Sequence, residues 1–149
     1  LNGRGYPDTM VAGNLPAAPS KSDPEVGVVS GDETSQPMNT RIVIPAGKKA
    51  LLRISNLNVT RFYTLATTGL PMKVVGTGAH ILRGPAGGAG ANMYYSTNSV
   101  TLGGGEGVDV IVDTTGVAPG TYLLYSTNLE ALSNGSEDYG GMMTEIVVQ

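Results

Sequence analysis

The 149-residue sequence contains no cysteine and no tryptophan, and it has one histidine, His80, and one phenylalanine, Phe62. Without thiols, neither a disulfide framework nor thiolate chemistry is open to it, and cysteine usage says nothing of its redox compartment. One imidazole and no thiolate exclude a Cys2His2 zinc site, a type 1 copper centre and any Ser-His-Asp triad that does not use His80. Charge is also sparse: charged residues make up 14% and the net charge is -3. Lys and Arg are scattered, with no basic patch or aromatic platform, which argues against nucleic acid as a partner. Apolar runs reach only about five residues, far short of the ~20 that a membrane-spanning helix needs. No signal peptide is recognisable. The opening Leu1-Asn2-Gly3-Arg4-Gly5-Tyr6-Pro7 reads as text from within a longer protein, so a domain excised from a multidomain chain is expected.

What is abundant is turn-forming. The 22 Gly and 9 Pro suit many short strands joined by turns better than a helical bundle. A chain of this length buries roughly 70% of its unfolded surface and is expected to form one domain over residues 1–149. Residues 1–40 read as an extended opening segment and a long crossing loop. The stretch 14–40 carries four Pro and one short apolar patch, Val26–Val29, that could form an edge strand. Residues 41–149 read as the core of a sandwich.

In that core, Arg41–Ile44 is a short strand ended by Pro45-Ala46-Gly47. Ala50–Ser55 puts Ala50, Leu52 and Ile54 on one face, and Asn56-Leu57-Asn58 turns the chain. Arg61–Thr67 alternates, with Phe62, Thr64 and Ala66 opposite Tyr63 and Leu65. Met72–Val75 follows the Gly69-Leu70-Pro71 break and stops at Gly76-Thr77-Gly78. Residues 83–92 (RGPAGGAGAN) read as a mobile Gly-rich surface loop. Ser99–Leu102 and Val108–Val112 flank a Gly-rich turn, and Val117-Ala118-Pro119-Gly120 is a β-turn. Thr121–Ser126 and Thr144–Val148 close the fold, with at most a helical turn in Asn128–Ser133. At least seven short strands and no convincing amphipathic helix predict an all-β, Greek-key β-sandwich.

Several segments then become familiar in order and spacing. NGRGYPDT at 2–9, LLRISNLNVTRFYTL at 51–65, GLPMKVVG at 69–76, LRGP at 82–85, GGGEGVDVIVDT at 103–114 and GTYLLYSTN at 120–128 together resemble a cupredoxin-like domain of bacterial multicopper oxidases, the laccase-like family. The resemblance spans roughly residues 1–8 and 36–148. It implies copper ligands in two places, a His-Pro-x-His-type segment and a Cys-His segment before the last strand. The first corresponds to Gly69-Leu70-Pro71-Met72-Lys73, which keeps the Pro and has no His. The second corresponds to Tyr125 through Met143, which keeps Gly141-Met142 and lacks the Cys and both His. The resemblance therefore implies the family's copper-free domain, the middle one of three, with the flanking cupredoxin domains of the same chain as its partners. It implies no catalytic residue and no cofactor within these residues, and copper in the parent enzyme. That parent would oxidise phenols, amines or metal ions and reduce dioxygen to water, in the periplasm or outside the cell.

Met142 stands at a ligand position, but one thioether is a weak axial donor and cannot hold copper alone; packing at the start of the last strand accounts for it. The six Met (10, 38, 72, 93, 142, 143) could in principle form a thioether site for Cu(I), though no Met-x-x-Met run occurs. His80 suits a surface hydrogen-bonding role, and only a symmetric trimer would bring three imidazoles together. Asp109 and Asp113 share a strand face with Ile111 between them, beside Glu106. Such acids can serve acid–base chemistry or calcium, but here they suit ion pairs with Arg53 or Arg61 or bonds to turn amides. The Gly-rich stretches lack the Lys-Ser/Thr of a phosphate loop. Asn58-Val59-Thr60 and Asn134-Gly135-Ser136 match the glycosylation sequon by chance, and Asn134-Gly135 suits a tight turn. Tyr6, Tyr94 and Tyr95 could line an interface or a ring-binding surface. Two functional classes result: a non-catalytic interdomain unit of an oxidase, or a free-standing homo-oligomeric module that binds Cu(I) or a small ligand.

Overall fold

A computed structural model describes residues 1–12, 39–85, 90–133 and 140–149. The Val26–Val29 edge strand, Met38, the centre of the Gly-rich loop and the Asn134-Gly135 turn expected from the sequence lie outside the described residues.

Among the described residues, ten strands form two sheets. β1 (Ile42–Ile44), β3 (Tyr63–Thr67), β7 (Ser99–Leu102), β9 (Gly120–Ser126) and β10 (Met143–Val148) make the first, in the order β1-β10-β9-β3-β7. β2 (Lys49–Ser55), β8 (Gly107–Asp113), β4 (Met72–Thr77), β5 (His80–Ile81) and β6 (Tyr95–Thr97) make the second, with β5 and β6 lying end to end along one side of β4. β1 runs parallel to β10 and the other pairings are antiparallel. Successive strands cross between sheets, as a Greek-key sandwich requires.

The core follows from period-2 patterning. On β8, Val108, Val110 and Val112 are buried while Asp109, Ile111 and Asp113 face outward. Opposite them stand Leu65, Leu124 and Ile146 of the first sheet, with Ile44, Leu70, Met72, Val74, Val100 and Leu102 completing the cluster. Each such side chain contributes about 1.5–3 kcal/mol by leaving water. β2 alternates as the sequence predicts, but its inward Ala50, Leu52 and Ile54 are only half-buried because β2 is the edge of its sheet.

Three expectations are corrected. β3 begins at Tyr63, so Phe62 is outside the strand and exposed. Ala66 and Thr67 are both buried, so the alternation read from the sequence does not hold at the end of β3. β4 continues to Thr77. A bulge between Val74 and Gly76 restores pairing with Asp109 and Val108, so Gly76 extends the strand instead of ending it. β5 and β6 were not visible in the sequence, being two and three residues long.

The N-terminal residues dock onto β10. The buried Thr9 hydroxyl donates to the Met143 carbonyl at 3.1 Å, and the Thr40 amide donates to the Thr9 carbonyl at 2.8 Å. Tyr6 and Gly141 exchange backbone bonds, Tyr6 N to Gly141 O at 2.7 Å and Gly141 N to Tyr6 O at 3.2 Å.

Candidate functional site

The end of the sandwich where β9 stops and β10 starts holds the Tyr125–Met143 stretch. Its described residues are held by backbone hydrogen bonds. Ser126 N donates to Met142 O at 2.9 Å, Thr127 N to Thr64 O at 2.9 Å, and Met142 N to Ala131 O at 2.7 Å. Asn128 caps a short 3-10 turn, Leu129–Ala131, its Oδ1 accepting from Glu130 N at 3.1 Å. Ser126 is fully buried, and its Oγ accepts from Asn128 N at 3.2 Å. Met142 packs on the core and lines a cleft of about 810 Å³ between the β1 and β2 edges. Its thioether serves as a wall for Ile54, Leu65 and Leu124, which line the same cleft.

The Gly69–Lys73 stretch is elsewhere. Leu70 and Met72 are core residues, and the left-handed Gly69 (φ +77°) lies against the Tyr122 ring. Thr67 pairs with Leu124 and Leu65 with Ser126, so moving from Ser126 to Tyr122 covers four residues of strand, about 13 Å. The Gly69 turn and the Ser126 end of β9 are therefore apart, while Met142 packs on the core cluster that includes Leu70 and Met72.

His80 is exposed on β5, with Nδ1 2.9 Å from the Gly78 carbonyl. A carbonyl can only accept, so Nδ1 is the donor in this contact. His80 and Tyr95 share a shallow cleft of about 590 Å³ with Thr101 and Glu106. Tyr94 stacks with cations: Lys73 Nζ lies 5.8 Å and Arg83 Cζ 5.2 Å from its ring centroid, and Arg83 Nε donates to its hydroxyl at 3.1 Å. Tyr6 belongs to the other sheet, where its hydroxyl donates to Glu145 Oε1 at 3.4 Å. Of the methionines, Met72 is in the core, Met10 Sδ accepts from Thr144 Oγ1 at 3.7 Å, Met143 is buried on β10 and Met93 is exposed beyond β5.

The carboxylates are engaged in structure. Asp109 Oδ1 meets Arg53 Nε at 3.4 Å and Asp113 Oδ2 meets Lys49 Nζ at 2.9 Å, both across the β2–β8 ladder. Glu106 Oε2 accepts from Gly103 N at 2.6 Å. Among the described residues, no three His, Asp or Glu side chains gather as metal ligands. The Lys49 and Thr115 hydrogen bonds hold the Asp113 carboxyl down at about 2. A depressed folded value stabilises the fold above the ordinary value of 3.8, and that contribution is lost as pH falls toward about 2. Replacing Asp113 with Asn is therefore expected to flatten the acid-side fall in melting temperature between about pH 4 and pH 2. The change is small, because the pair is exposed to solvent.

Asn56, a turn residue by its sequence context, organises this end of the fold. Its buried Nδ2 donates to Arg61 O at 2.9 Å and to Leu102 O at 3.0 Å, and its Oδ1 accepts from Asn58 N at 3.0 Å. Asn58 Oδ1 accepts from Thr60 N and Arg61 N, both at 2.8 Å. The available signal was the Asn-x-Asn spacing directly after a strand, which suits consecutive Asx turns. Asn56→Ala is expected to cost about 2–3 kcal/mol in urea unfolding, since it strands two carbonyls and an amide.

The family model described as Multicopper oxidase matches residues 6–148. The chain belongs to the multicopper oxidase family. Its fold is similar to that of a blue copper oxidase from Nitrosomonas europaea (20% identity, TM-score 0.56, covering 85% of this chain and 39% of that one). It is also similar to the multicopper oxidase mgLAC (18% identity, TM-score 0.61, 82% and 39%). A laccase from Botrytis aclada shares the fold as well (16% identity, TM-score 0.56, 84% and 21%). At these identities the likeness establishes a cupredoxin-like sandwich. The chain spans about two-fifths or one-fifth of the length of these solved oxidases. No curated protein matches the sequence.

Copper in this family can be tested against the donors present. A type 1 centre takes two imidazoles and a thiolate. Among the described residues, the Tyr125–Met143 stretch offers Tyr125, a buried and hydrogen-bonded Ser126 hydroxyl, Thr127, the capping Asn128, Glu130 and the Met142 thioether. The other stretch offers Leu70 and Met72, both enclosed by core. His80 sits apart on β5. These residues do not fit the group.

Proposed function

We propose that this chain is the copper-free, middle cupredoxin-like domain of a multicopper oxidase and serves as a structural unit between copper-bearing domains. The observation that carries the reading is the donor inventory. In a family defined by copper, the described residues at the two ligand stretches include no imidazole and no thiolate: Leu70 and Met72 are enclosed by core, Ser126 is buried and hydrogen-bonded, and Met142 packs on the core as a lone thioether. The parent would couple one-electron oxidation of phenols, amines or metal ions to reduction of dioxygen to water, in the periplasm or outside the cell. This domain contributes the spacing and walls of that assembly and no catalytic residue.

The length relation supports the same reading, since the solved oxidases are far longer than the matched region. No helix among the described residues is long and apolar enough to cross a membrane. Intact mass and copper content of the natural polypeptide test the proposal. The expected result is a longer chain whose copper ligands map outside residues 1–149. A natural polypeptide confined to these residues, or copper ligated by them, contradicts it.

The alternative, a free-standing homo-oligomeric module, draws on the exposed Nε2 of His80 and on the exposed apolar side chains described next. Light scattering on the chain separates the two.

A further inference from the structure

The loop joining β2 to β3 exposes three large apolar side chains within six residues. Leu57 is 90%, Val59 91% and Phe62 73% exposed. Solvent exposure on this scale is ordinary for a single residue and uncommon for a cluster. Nor is the loop loosely held. The Asn56 and Asn58 side chains fix its backbone through five hydrogen bonds, two given by Asn56 Nδ2 and three accepted by the two Oδ1 atoms. A Cβ on Gly104 would strike the Asn58 carbonyl and come within 2.8 Å of the Val59 carbonyl, so the 103–107 turn supports the loop from beneath. A Cβ on Gly103 would come within 3.0 Å of the Phe62 ring. Leu57 continues this apolar surface into the cleft lined by Leu52, Ile54 and Met142. Leu129, 81% exposed, projects from the turn after β9 at the same end of the sandwich.

Rigid, pre-ordered apolar side chains cost little entropy to bury against another surface. From this we infer that Leu57, Val59 and Phe62, with the adjoining cleft, form the docking face for another domain of the same oxidase polypeptide. This rests on the proposed function. The occupant follows from length: the solved oxidases carry three-fifths or more of their chain outside the matched region. The loop carries one charge, Arg61, and the two arginines of the cleft, Arg41 and Arg53, are paired with Glu145 and Asp109, so an apolar partner surface fits the face better than an acidic or basic one.

The test places the photocrosslinker p-benzoylphenylalanine at Leu57, and separately at Phe62, in the natural full-length polypeptide. Crosslinked peptides are then mapped by mass spectrometry. Crosslinks from both positions to residues of the same polypeptide outside 1–149 are expected, with loss of the crosslink when Val59→Ser is combined with Phe62→Ser for the probe at 57, or with Leu57→Ser for the probe at 62. Crosslinks between two copies of residues 1–149 overturn the assigned occupant. Absence of any crosslink in a longer, copper-loaded polypeptide overturns the docking face and leaves the domain assignment standing. A natural polypeptide of only these residues overturns the assignment itself.

Discussion

Gly141→Ala is expected to destabilise the fold by about 3 kcal/mol or more, among the largest effects of any single substitution in the chain. Two causes add. Gly141 has φ +71°, in the left-handed region, where an L side chain costs roughly 1–2 kcal/mol. A Cβ there would also collide with the Ala131 carbonyl and lie 2.7 Å from the Ser133 carbonyl, both backbone atoms that cannot swing away. The damage would spread, since Gly141 also exchanges backbone bonds with Tyr6 and so anchors the N-terminal segment. Gly116→Ala is the control. Its φ is +75° but nothing lies within 4 Å of the added Cβ, so only the conformational cost of about 1–2 kcal/mol remains. Urea unfolding of both variants reads the difference. Equal losses at the two positions would show that the loop relaxes freely and is not the locked element described above.

Ile146→Ala is expected to cost about 4 kcal/mol, toward the upper part of the range for truncating a buried Ile. Ile146 is fully buried and lies on β10, which pairs with Tyr122 of β9 on one side and Ile42 of β1 on the other. Neighbours held in two ladders cannot collapse into the vacated space, so the cavity persists and adds to the lost transfer energy. With total stability of about 5–15 kcal/mol for a natural domain, this one change removes a large share. Val43→Ala, on the outward face of β1 and half-exposed, should cost less than about 1 kcal/mol. Chemical denaturation midpoints compare them directly. A loss below about 1.5 kcal/mol for Ile146→Ala would mean the core repacks and is less tightly built than its burial implies.

Legibility in the sequence followed the range of the forces involved. β8 and β2 could be read because strict alternation is local: Val108, Val110 and Val112 inward, Asp109 and Asp113 outward, with Lys49 and Arg53 opposite those acids. β3 was misphased by one element of context. Ala66 and Thr67 are buried together at its far end, and period-2 reasoning fails there. β5 and β6 are stabilised by pairing with β4 rather than by any pattern of their own. The docking of Tyr6 on Gly141 joins the two ends of the chain and leaves no local mark. At the candidate site, the want of Cys and the single His were plain from composition. The exposure of Leu57, Val59 and Phe62 was not, because it is set by side-chain bonds of Asn56 and Asn58 that periodicity does not register.

The central claim, that these residues have the family's sandwich without its copper ligands, is tested most directly by titrating the purified chain with Cu(II) and, under reductant, with Cu(I). Bound metal per chain, visible and EPR spectra, and mass by light scattering are read together. The account predicts no stoichiometric binding of either ion. One copper per chain through thioethers, or one copper per three chains in a trimer with His80 on its axis, would contradict it.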